Sequence, residues 1–103
     1  MARYKEADEA APPLKPTRAV MIAYCMVQTN GNSNMLDVSG VQRDAIFIDA
    51  DEIAVWLAEH SRQYYPELLH KYAELMDEYE IPTGLSVQGY FELLEQEREA
   101  SNG

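Results

Sequence analysis

The chain has 103 residues, 47% of them hydrophobic, and a formal net charge of −10. These are the proportions of one globular domain with a modest core, and they exclude wholesale disorder. Such a charge repels nucleic acid and anionic membranes and attracts basic surfaces. Cys25, the single cysteine, excludes an intrachain disulfide and points to a reducing, cytoplasmic setting. The opening segment MARYKEADEAAPP holds no signal-peptide core, and no stretch approaches the roughly 20 apolar residues of a membrane span.

The charge is unevenly placed. Residues 1–48 carry five basic and five acidic side chains, whereas residues 49–103 carry thirteen acids against Arg62, Lys71 and Arg98. All of the excess therefore belongs to the second half.

In chain order, residues 1–17 read as a flexible arm, because Pro12, Pro13 and Pro16 stand among Ala, Glu and Lys with little to bury. The domain begins at Arg18. Residues 19–27 (AVMIAYCMV) are unbroken apolar sequence, which fits a strand buried on both faces or, on periodicity alone, a buried helix; the turn formers that follow favour the strand. The turn-rich segment Thr29–Asn34 follows, and its Asn30-Gly31 pair is a hairpin signal. Met35–Val38 and Ala45–Ile48 are then candidate returning strands, with a bend or bulge at Ser39-Gly40.

The second half is helical. Asp49 and Glu52 have the spacing of a capping box, and Ile53, Trp56, Leu57, His60 and Tyr64 recur along one buried stripe. Pro66 restarts a helix over about 66–80, with Tyr65, Leu68, Leu69, Tyr72, Leu75, Met76 and Tyr79 on a broad apolar face. The segment Ile81–Gly84 breaks it. A third helix over about 86–98 opens at Ser86 and buries Val87, Tyr90, Phe91 and Leu94, leaving 99–103 as a flexible end. The expected fold class is α+β: a small antiparallel sheet of two or three strands packed against three C-terminal helices.

With those stripes turned inward, Glu67, Glu74, Asp77, Glu78 and Glu80 decorate the second helix, and Glu92, Glu95, Glu97 and Glu99 the third. Acids at helix C-termini oppose the macrodipole, so Asp77–Glu80 and Glu95–Glu99 stand where carboxylates are mildly destabilising. Their density is comparable with the charge density of duplex DNA. The expected partner-binding face is Glu67, Glu74, Asp77, Glu78, Glu80, Glu92, Glu95 and Glu99, directed at the basic surface of a nucleic-acid-binding protein. Tyr65, Tyr72 and Tyr79, seven apart with Leu68 and Leu75 interleaved, form a second candidate: a dimer or docking seam, or a stripe covering the chain's own core.

Signatures of chemistry are sparse. Glu67-x-x-His70 occurs once, whereas carboxylate-bridged metal bundles need two such motifs and further glutamates. Asp49 and Asp51 lack the ligand spacing of an EF-hand. Cys25 lies in the apolar run, where a thiol is inert, and His60 reads as a satisfied boundary residue. No phosphate loop, Cys-x-x-Cys pair or nucleophile elbow is present. No cofactor, metal or catalytic residue is assigned. In size, acidity and absence of catalytic motifs the chain resembles small phage-encoded inhibitors, the anti-CRISPR and anti-restriction proteins, in overall character and not in any residue pattern. That resemblance implies a stoichiometric binder that blocks a basic groove. The alternative is a regulatory or structural homo-oligomer joined through the tyrosine seam, in which the acids only confer solubility.

Overall fold

The computed structural model describes residues 15–32, 34–60 and 64–102. The arm assigned to residues 1–17 lies outside the described residues as far as position 14. Among the described residues every regular element is helical: α1 (Arg18–Asn30), α2 (Val38–Phe47), α3 (Asp51–Glu59), α4 (Tyr65–Glu78) and α5 (Val87–Asn102). The α+β expectation is therefore overturned. The strands foreseen at 19–27, 35–38 and 45–48 lie in helices and their flanking turns.

The reason differs between the two helices. α1 has no polar face, because Val20 through Val27 are all buried, with α2, α3, α4 and α5 packed around them. A segment buried on every side shows an unbroken apolar run whether it is helix or strand, and periodicity cannot separate the two. Its ends carry the helical information. The Thr17 side chain accepts a hydrogen bond from the Val20 amide at 3.2 Å, capping the first turn. Gly31 adopts φ 73° and returns its amide to the Val27 carbonyl, so the Asn-Gly pair stops a helix instead of turning a hairpin.

In α2 the buried residues Val41 and Ala45, with half-buried Val38, recur at three- and four-residue spacing. Ile46 and Phe47, which suggest a strand in the sequence, remain exposed. Gly40 is inside this helix and not at a bulge. A Cβ there would come within 2.9 Å of the Asp37 carboxylate, which folds back over the first turn.

The C-terminal helices stand close to their expected places. α3 begins at Asp51, but Asp49 does not cap it: Asp49 takes φ 65° in the link from α2, and no side chain caps the helix. Asp51 and Glu52 instead place negative charge in the first turn, where the helix dipole favours it. α3 stops at Glu59 and His60 is extended, so the stripe does not continue as one helix to Tyr64. Pro66 stands in the first turn of α4, and Ser86 accepts from the Gly89 amide at 3.0 Å to cap α5. α5 continues to Asn102, beyond the expected end at 98.

α1 is the axis of the bundle. Arg18 meets Tyr79, Cys25 meets Met76, and Tyr24 meets Tyr72 and Tyr65, so α4 lies against α1 with its C-terminal end at the start of α1. The pairing of Arg18 with Glu97 brings the C-terminal part of α5 to the same end.

Candidate acidic interface

This packing brings the acid-rich C-terminal ends of α4 and α5 to the N-terminal end of α1. Arg18 joins them: its Nε donates to the Tyr79 carbonyl at 3.0 Å and its Nη1 to the Glu97 carboxylate at 2.6 Å. Lys15 pairs with Glu78 and stands over the Tyr79 ring. Arg98 docks α5 onto the start of α3, donating to both Glu52 oxygens at 2.7 and 2.9 Å, to the Asp49 carbonyl at 2.7 Å and to Glu95 at 3.1 Å. The dipoles of α4 and α5 add their negative ends to the same pole.

These cations hold helices together and leave other carboxylates bare. Of the eight acids assigned to the partner-binding face, Glu67 pairs with Lys71 at 3.4 Å, Glu78 with Lys15, and Glu95 with Arg98. Glu74, Asp77, Glu80, Glu92 and Glu99 are exposed and make no ion pair among the described residues. Glu80 sits at φ 56° just past α4, where the left-handed turn directs the chain into the next loop. Glu97 is half-buried and pairs with Arg18.

The tyrosine seam faces inward. Tyr65 is buried, and its hydroxyl donates to the Met35 carbonyl at 2.5 Å. Its one proton is thereby committed, so the Tyr24 hydroxyl is the donor across the 3.2 Å contact between them. The Tyr24 ring meets those of Tyr65 and Tyr72 edge-on, with centroids 6.2 and 5.5 Å apart. Burial pushes the Tyr24 and Tyr72 hydroxyls well above the ordinary tyrosine range. Tyr79 is half-buried, with its hydroxyl on the Pro16 carbonyl. The stripe thus covers the domain's own core.

The other candidates for chemistry have structural surroundings. Cys25 is buried against Met76 and Tyr72, and burial raises its thiol above the usual value, which keeps it protonated. The His60 ring lies 4.6 Å from that of Trp56 and bonds the Trp56 carbonyl at 2.7 Å. His70 is exposed, and its would-be partner Glu67 pairs with Lys71. Among the described residues no three His, Cys, Asp or Glu side chains are arranged to hold a metal. No helix among the described residues is long and apolar enough to cross a membrane.

Two surfaces escape sequence reasoning. On α2, Ile46 and Phe47 are 62% and 83% exposed beside a cleft of about 480 Å³ lined by Asn32, Asn34, Asp37, Arg43 and Asp44. Because Phe47 touches so little, Phe47→Ser should change folding stability by no more than about 0.5 kcal/mol in a urea titration. The second surface is a groove beside α3, lined by Thr17, Val20, Asp51, Glu52, Val55, Trp56 and Glu59. Its sequence trace is the Asp51–Val55–Glu59 spacing, with Val55 off the buried Ile53–Trp56–Leu57 stripe.

No family model matches the chain, and comparison with curated proteins and with solved structures likewise returns no match. The fold and site define a small acidic helical bundle.

Proposed function

We propose that the chain is a non-enzymatic binding protein whose acidic pole occupies the basic, nucleic-acid-binding surface of a partner protein complex and thereby inhibits it, in the manner of small phage-encoded anti-CRISPR and anti-restriction proteins. The observation that carries this reading is the division of labour among the charges. Lys15, Arg18, Lys71 and Arg98 are engaged in intramolecular pairs, while Glu74, Asp77, Glu80, Glu92 and Glu99 stand exposed and unneutralised. Carboxylates one helical turn apart offer a basic groove a charge density like that of phosphates. The homo-oligomer alternative draws less support from α4, since Tyr65 is buried and Tyr72 and Tyr79 pack against the core.

Glu74→Lys, Asp77→Lys and Glu99→Lys together test the proposal, because all three acids are exposed and none holds an ion pair. Capture from a bacterial lysate should yield a nucleic-acid-binding complex that leaves the wild-type protein as salt rises and is released by duplex DNA. The reversed variant should fold normally by circular dichroism and lose that complex. Full retention by the variant would overturn the reading.

A further inference from the structure

The groove beside α3 combines an apolar lining with a charged rim in a definite register. Its volume is about 440 Å³, and its apolar lining is Val20, Val55 and Trp56. Val55 is 51% exposed, although it lies on a helix whose other large apolar residues are buried. Asp51, Val55 and Glu59 fall four residues apart on the outer line of α3, about 6 Å per step. Glu52, also on the rim, is held by Arg98, whereas Asp51 and Glu59 are exposed and make no ion pair among the described residues. Glu59 lies in the last turn of α3, against the dipole, where a cation brought from outside is favoured.

We infer that this groove takes an extended segment of a basic partner protein, with an apolar side chain seated on Val55 and an Arg or Lys two residues to either side. The spacing selects the extended form. Alternate side chains of an extended chain share one face and repeat at about 6.6–6.8 Å, close to the step between Asp51, Val55 and Glu59. Charge complementarity selects the flanking cations, and the apolar lining selects the central residue. The inference rests on the reading that the partner is basic, but it uses neither α4 nor the outer face of α5.

Trp56, the sole tryptophan, lines the groove and reports on it. The probe is a synthetic peptide containing Arg-Ser-Leu-Ser-Arg, titrated against the full chain while Trp56 emission is followed. Saturable binding is expected, weakened about tenfold when Leu is replaced by Ser in the peptide, and equally by Val55→Asp or Val55→Ser in the protein. Glu59→Lys should weaken it similarly. Absence of binding, or binding indifferent to Val55 and to the peptide's Leu, overturns the groove while leaving the acidic pole to its own charge-reversal test. A Trp56 change that follows protein concentration without peptide overturns it in favour of a second copy. Binding of a synthetic peptide of residues 1–14 in preference to the probe overturns it in favour of the chain's own segment.

Discussion

Tyr24→Ala should lower folding stability by about 3–5 kcal/mol, the cost of removing a fully buried aromatic ring, out of the 5–15 kcal/mol typical of a domain. Tyr24 is wholly buried at the centre of α1 and stands edge-on to Tyr65 and Tyr72, so its removal opens a cavity where α1 meets α4. The hydroxyl carries a smaller part. In Tyr24→Phe the Tyr65 hydroxyl keeps its bond to the Met35 carbonyl and loses only the proton it accepts, so that variant should cost about 1 kcal/mol. Urea unfolding followed by circular dichroism separates the two. A loss below about 1.5 kcal/mol in Tyr24→Ala would show that α1 does not centre the packing.

Arg98→Met should cost about 2 kcal/mol near neutral pH, through loss of charge-assisted hydrogen bonds to Glu52, Asp49 and Glu95. Methionine keeps the apolar stem, so the effect reports the guanidinium. The pH dependence carries the assignment. Burial acts to raise the Glu52 carboxyl, but hydrogen bonds and charge from Arg98 outweigh it and hold the group below its ordinary value of 4.5. A carboxyl lowered in the folded state contributes stability that is present above about pH 4.5 and disappears as pH falls through the folded value. Wild type and Arg98→Met should therefore converge on acidification below about pH 4.5. A difference that persists undiminished in acid would assign the effect to packing instead. A double-mutant cycle with Glu52→Gln should return a favourable coupling.

The legible part of the sequence was the part with two faces. α4 and α5 expose Glu and Lys opposite Leu and Tyr, and the resulting period placed them within a few residues, with Pro66 and Ser86 as start signals. Most of the outward acids followed from the same pattern, whereas Glu97 is half-buried against Arg18. α1 was misread because burial on every side erases periodicity, and α2 because exposed Ile46 and Phe47 complete an apolar run that the fold does not bury. Thr17 and Gly31 carried the corrective signal at the ends of α1. The α3 groove needs Val20 of α1 beside Val55 and Trp56, and sequence distance hides that juxtaposition. Among the bases, helical spacing accounts for the local pairs Lys71–Glu67 and Arg98–Glu95. It missed Arg18–Glu97 and Arg98–Glu52, which are created by packing.

The enclosed position of α1 also fixes an order of events on the ribosome. The helix that needs cover on every side is made before the other four described helices, while α5, which packs against it most extensively, is made after them. At about 5–20 residues per second, the apolar band Val20–Val27 waits several seconds for its final neighbour. During synthesis that band is a natural substrate for a chaperone. Truncation within α5 should therefore produce aggregation of the nascent product rather than a shortened but soluble bundle.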